Sequence, residues 1–302
     1  MPGQFILSFD CEGKWGVADE LASRHARQLT DENLRQAYQS IVHLLDEFRV
    51  EATFAFVGAF TQSAQGFARA RPAIEEMSRR FPTYLGPALR HIDEESAEGW
   101  HGEQLVDLVG NARASHEIAL HGVTHVPWTS MDRPSAEAEM AIFDSLEGPV
   151  RQSRTFVYPR NMVAHSEVLA KHGFEGFRTA RPSRSRARSL LSEFNLFEAP
   201  EHPAGANGIV RIPAGFFLNW RSGLRRLVPP AVTRARARRL LNAAAQSDGV
   251  VHYWLHPENI VSAPGTLDLL RMLVRDVAEA RDAGRCNVLT QLAYCRGQRS
   301  LR

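Results

Sequence analysis

The sequence predicts an α/β protein built on a parallel sheet, open or closed into a barrel. Three observations point there. Short apolar runs rich in Phe, Val and Ile alternate with stretches of helical length and spacing. Several runs end on residues capable of chemistry: Asp10 and Glu12, His121, Tyr158 to Asn161, and His256. In a parallel barrel such strand ends converge on one face. The length, 302 residues, suits one unit of this class, which often runs to about 250 residues.

Taken in order, the run Phe5-Ile6-Leu7-Ser8-Phe9 is a buried strand leading into Asp10-Cys11-Glu12-Gly13. Leu34, Ala37, Ile41, Leu44, Leu45 and Phe48 recur at helical spacing, predicting a helix over 31–49 with Asp31 as its N-cap. A strand follows from Glu51 to Val57, closed by Gly58. Residues 60–112 read as mostly helical, broken near Pro82 and Pro87, and resemble an insertion within a single domain. Ile118 to Leu120 is a strand entering His121, and Ala136 to Leu146 a helix. Thr155 to Pro159 is a fourth strand, and Ser166 to His172 a helix ending at Gly173. Short strands are expected near 174–179, 196–199 and 209–212, then at Val250 to Leu255 and Cys286 to Leu289, with an amphipathic helix from Thr266 to Ala283 between those two.

The net charge of +2 gives no reason to expect a nucleic-acid partner. Arginine is unevenly spread, however. No acid occurs between His202 and Ser247, while Arg211, Arg221, Arg225, Arg226, Arg234, Arg236, Arg238 and Arg239 do. This arginine-rich region, near 178–247, reads either as a solvated face or as a surface for phosphate or an anionic membrane. Pro229 and Pro230 interrupt it, and a helix is expected to resume at Thr233 as N-cap. Cys11, Cys286 and Cys295 are odd in number and contain no C-x-x-C, which fits a reducing compartment. No apolar run approaches the ~20 residues of a membrane span, and no signal sequence precedes the first strand. A cytoplasmic location is therefore expected.

The chemistry centres on His121-Gly122-Val123-Thr124-His125. As the first turn of a helix, an H-x-x-x-H pair faces one side and can share a divalent cation. The preceding His116-Glu117 is not a zinc-protease motif, because His121 follows His116 by five places and the side chains diverge by roughly 140°. Asp10 and Glu12, two apart on a strand end, point to one side. One can complete a His-His-carboxylate site while the other acts as a general base. His256 is a candidate general acid. Tyr158, Trp254 and Trp220 are candidates for an aromatic wall against a sugar.

These motifs resemble, in order, those of the polysaccharide deacetylases, the NodB-homology (carbohydrate esterase) group of metal-dependent N- and O-deacylases. Ser8-Phe9-Asp10-Cys11-Glu12-Gly13 resembles the family's T-F-D-D-G with one residue inserted between the acids, a form similar to an intracellular branch that includes sugar deformylases. Ala52 to Gly58 resembles A-T-F-F-x-x-G, and Ser115 to His125 resembles G-H-E-I-G-N-H-x-x-x-H. Phe156-Val157-Tyr158-Pro159-Arg160-Asn161 takes the place of F-R-P-P-Y-G, and Trp254-Leu255-His256 that of the late L-x-H.

The resemblance implies a NodB-like distorted (β/α) barrel of about seven strands. It makes Asp10 the base, His256 the acid, and Glu12, His121 and His125 the ligands of one divalent metal (zinc, with nickel, cobalt or manganese as alternatives). The Arg160 backbone N–H would serve the oxyanion, and Tyr158, Asn161 and Trp254 the substrate. Two departures stand out. The arginine that braces the base in the family's third motif is Val157 here, so that Arg160 or Arg154 would have to replace it. Glutamate as ligand also adds a methylene.

The function expected is removal of an N-acyl group, acetyl or formyl, from an amino sugar during surface polysaccharide, lipopolysaccharide or glycolipid biosynthesis. The sugar would be nucleotide- or lipid-linked, with peripheral membrane contact at the arginine-rich region. The rival readings are a catalytically inactive carbohydrate-binding homologue and an adaptor for polyanions or membrane surfaces.

Overall fold

The structure, a computed structural model, describes residues 2–181, 190–195, 198–201 and 208–300. Nine parallel strands occur among them: β1 (Gly3–Cys11), β2 (Thr53–Phe56), β3 (Glu117–Leu120), β4 (Thr155–Val157), β5 (Gly176–Arg178), β6 (Val210–Ile212), β7 (Phe216–Phe217), β8 (Val250–Leu255) and β9 (Cys286–Leu289). Eight form a curved wall in the order β6-β5-β4-β3-β2-β1-β8-β7. The strand expected near 196–199 lies partly outside the described residues.

β1 organises the sheet. One edge pairs with β8 from Gln4 to Phe9. Its other edge is shared, taking β9 along Gly3 to Ile6 and β2 along Ser8 to Cys11. A strand with neighbours on both edges and helices outside has no solvent face, which is why it reads as a continuous apolar run rather than an alternating one.

The outer helices lay apolar stripes on this wall. The helix Asp31–Phe48 buries Leu34, Ala37, Ile41, Leu44 and Leu45 as its spacing predicts, with Tyr38 and Val42 beside them. Its N-cap is Thr30, not Asp31; the Thr30 hydroxyl accepts the Asn33 N–H at 3.1 Å. The region 60–112 forms three helices, Ala64–Arg80, Pro82–Glu94 and Glu103–Gly110. Pro82 starts the second, where its missing N–H costs nothing, and Pro87 lies inside it without ending it. The helix expected from Thr233 begins earlier, at Pro230, and buries Thr233 in its interior. Proline at the first helical position explains the shift.

The N-terminal end of the strands is closed by a helix that the apolar pattern does not reveal, Gln291–Ser300. Buried Glu117 anchors it there, accepting from the Thr53 hydroxyl and the Leu292 N–H, both at 2.8 Å, and from the Thr155 hydroxyl. Among the described residues no helix is long and apolar enough to cross a membrane. All three cysteines are buried and free.

Candidate active site and metal centre

The strand ends named in the sequence meet at one face. The His121–His125 segment is not a helical turn. His125 has a left-handed backbone (φ 59°), and so does Gly122 (φ 67°), where a side chain would strike the Pro159 ring. Buried Glu139 takes the Val123 and Thr124 N–H groups at 2.6 and 3.1 Å, while Gly58 and Ala59 donate to the carbonyls of Gly122 and Val123. With those groups occupied the segment cannot make helical hydrogen bonds. Its loop shape still brings the two imidazoles within 5.1 Å, centroid to centroid.

Glu12 completes the cluster. Its Oε1 lies 2.9 Å from His121 Nε2, 3.0 Å from His125 Nε2 and 3.4 Å from His256 Nε2. The candidate ligand atoms of Glu12, His121 and His125 all fall within 4.8 Å of one another. His121 Nδ1 faces the Val157 carbonyl at 2.9 Å. A carbonyl only accepts, so Nδ1 carries the proton and Nε2 is the ring nitrogen turned toward Glu12. A carboxylate oxygen and an imidazole nitrogen at that distance can share a cation. For His125, burial, the leading influence, holds the ring below the usual histidine range, which also suits a neutral ligand.

Asp10 is buried and held by Arg178 in a two-pronged pair at 2.7 and 2.6 Å. Burial is the strongest influence on this carboxyl and favours its neutral form. The Arg178 charge, aided by His121 and His256, outweighs it and keeps Asp10 below the usual carboxylate range. Neither Arg160 nor Arg154 replaces the third-motif arginine, for Arg160 pairs with Asp19 at 2.7 Å and Arg154 bonds the Ser153 carbonyl. Arg178 sits at the end of β5, a strand-end address like those of Asp10 and His256, and it also donates to Asn161 Oδ1 at 2.9 Å. Beneath it, buried His252 joins the Ser8 hydroxyl at 2.8 Å and the Pro213 carbonyl at 2.7 Å.

His256 ends β8. Burial, its leading influence, disfavours the cation, but Glu12, Asp10 and Glu258 together raise its pKa to about 9. These carboxylates favour its protonated form. Asp10, Glu12, His121, His125, Arg160, Asn161, Trp254 and His256 line one cleft of about 380 Å³, joined by His25, Phe217, Trp220 and Glu258. Arg160 holds a left-handed backbone there (φ 55°). Tyr158 does not belong to the wall. It is buried and packs edge-on against Trp128, Phe156 and Phe177. Trp254 does belong, with the Arg178 guanidinium 4.6 Å from its ring centre.

A second cleft of about 210 Å³ shares Asn161, Phe217 and Trp254 with the first and adds Arg181, Arg225 and Arg236. Four of the eight arginines in the acid-free run pair with acids from elsewhere in the chain. Arg234 and Arg238 pair with Asp276, Arg236 with Glu193 and Glu198, and Arg225 with Glu193. Arg184, Arg186 and Arg188 lie outside the described residues.

Neither a protein-family signature nor a curated protein matches the sequence. Solved structures do match. A provisionally named polysaccharide deacetylase from Mycobacterium smegmatis aligns at 17% identity and a TM-score of 0.61, over 100% of this chain and 92% of that one. PuuE allantoinase aligns at 13% identity and 0.53, over 97% and 90%. A 4-α-glucanotransferase from Thermococcus litoralis aligns at 15% and 0.50, over 98% of this chain but 40% of that one. The chain therefore has the α/β barrel fold of the polysaccharide deacetylases, in which the expected seven or so strands are eight in the wall with β9 beside them.

Proposed function

We propose that this protein is a metal-dependent amidohydrolase of the polysaccharide deacetylase family, removing an acetyl or formyl group from an amino sugar. The observation that carries the reading is the convergence of Glu12 Oε1 with His121 Nε2 and His125 Nε2, in one cleft with a braced Asp10 and with His256. Glu12, His121 and His125 would hold one divalent ion, zinc being best suited to mixed imidazole and carboxylate ligands. When bound, such an ion supplies Lewis-acid polarisation of the acyl group and a nucleophile at neutral pH.

The chain's own residues move the protons. Asp10, ionised and oriented by Arg178, takes the proton of the attacking water. His256 delivers a proton to the departing amine nitrogen, a poor leaving group without it. The backbone N–H of Arg160, a residue that lines the cleft, is assigned to the developing oxyanion. Trp254, Trp220 and Phe217 offer apolar faces to a sugar ring, and Asn161 a polar contact. Arg178 supports an active enzyme over an inactive homologue, since it offers Asp10 a brace from β5 where Val157 has none.

The finer reading is a nucleotide- or lipid-linked sugar in surface polysaccharide, lipopolysaccharide or glycolipid assembly in the cytoplasm. The second cleft, with Arg181 over the Phe216 ring, is the proposed place for the carrier. Membrane contact is assigned to exposed Leu224 and Leu227, which share a face of a 3₁₀ turn with Arg226 between them. Release of acetate or formate from N-acylated amino sugars by metal-loaded protein tests the proposal. Fully loaded protein that hydrolyses none of them, free or carrier-linked, would refute it.

A further inference from the structure

Glu12 is one methylene longer than an aspartate would be, and the structure shows how that length is accommodated. Its second carboxylate oxygen lies against Gly16, where an added Cβ would fall 1.8 Å from Oε2. Its backbone is fixed from the other side. Glu258, 3% exposed, accepts the Glu12 N–H at 3.0 Å and the Gly13 N–H at 2.7 Å on one oxygen. Gly13 is itself left-handed (φ 54°) and tightly enclosed by the Phe60 ring and the Gly99 carbonyl. Glu258 lies two residues after His256, so it ties the segment bearing the acid to the turn bearing the carboxylate.

We propose that Glu258 and Gly16 are positioning residues for Glu12. Glu258 fixes the backbone of residues 12 and 13, and Gly16 keeps open the space that the longer carboxylate needs to reach His121 and His125. The proposal rests on Glu12 being a metal ligand. It assigns Glu258 no contact with the reacting atoms. A hydrogen-bonded partner behind a metal ligand commonly carries a 10- to 100-fold share of affinity.

The test is zinc or cobalt affinity, by competition with a chromophoric chelator, for wild type, Glu258→Gln, Glu258→Ala and Gly16→Ala. It is paired with amide hydrogen exchange at residues 12 and 13 in metal-free protein. Glu258→Ala and Gly16→Ala should each bind about 10- to 100-fold more weakly. Glu258→Gln, whose amide oxygen can accept the same two N–H groups, should stay within a few-fold. Exchange at residues 12 and 13 should accelerate in Glu258→Ala alone. Wild-type affinity in both alanine variants would overturn the proposal, as would Glu258→Gln falling as far as Glu258→Ala. If wild type takes up no divalent ion, the metal reading fails, and the exchange data still decide whether Glu258 clamps the turn.

Discussion

Replacing Arg178 by Met probes the electrostatics of the site most directly. Arg178 is 1% exposed and satisfies both oxygens of Asp10, itself 1% exposed. The substitution leaves a buried carboxylate without its cation, a change that typically costs about 3–5 kcal/mol of stability. It also reverses a sign. In wild type the Asp10 carboxyl is held below its unfolded value, so its contribution is present at neutral pH and lost only as the pH falls through the folded pKa. Without Arg178, burial dominates and the folded pKa rises above the unfolded value of about 3.9. Stability then falls as the pH rises past that value. The base is also protonated over more of the acid range, so the acid limb of kcat/KM against pH should move upward. Activity near pH 7 should drop by about 10²-fold or more, the usual worth of a general base. Arg178→Lys, with charge but no two-pronged geometry, should fall between. Urea denaturation and pH–rate profiles measure both effects. An Arg178→Met enzyme with the wild-type acid limb and stability would refute the idea that Arg178 holds Asp10 ionised.

Three further expectations follow from the same geometry. The double variant His121→Ala with His125→Ala should lose stoichiometric divalent metal, measured by elemental analysis after dialysis, and undiminished occupancy would remove these residues from the site. Asp10→Asn and His256→Ala should each lower turnover about 10²-fold or more while retaining metal, and activity within a few-fold of wild type would exclude that residue from proton transfer. His252, held neutral by burial and then by the Arg178 charge, has a pKa lowered to about 3. Its contribution is therefore full above the unfolded value of about 6.5 and lost as the pH falls from there toward 3. That amounts to about 3–5 kcal/mol, and His252→Gln should flatten the stability profile in that window.

Much of this protein was decided by the sequence alone. A period-2 or continuous apolar run and a 3.6-residue stripe are local properties of the chain, so β1 to β6, β8, β9 and the long helices are legible in it. Because parallel strands all present their C-terminal ends to one face, the residues just beyond those runs, Asp10, Glu12, His121, His125 and His256, had to meet once the strands were ordered. Short or compensated features were not legible. β7 has two residues, too few to show a period, and the closing helix Gln291–Ser300 is polar because only Gln291, Tyr294 and Cys295 are buried. The H-x-x-x-H spacing suggests a helix, but Glu139 and the turn after β2 occupy the backbone groups a helix would need, and those lie far away in sequence. The same holds for charge. The acid-free arginine run is unbalanced along the chain, yet four of its eight arginines meet Glu193, Glu198 and Asp276 in space. The brace on Asp10 shows this most clearly. Proximity across a sheet depends on strand order, so an arginine 168 residues from Asp10 along the chain supplies what the adjacent motif lacks, and only the folded barrel brings the two together.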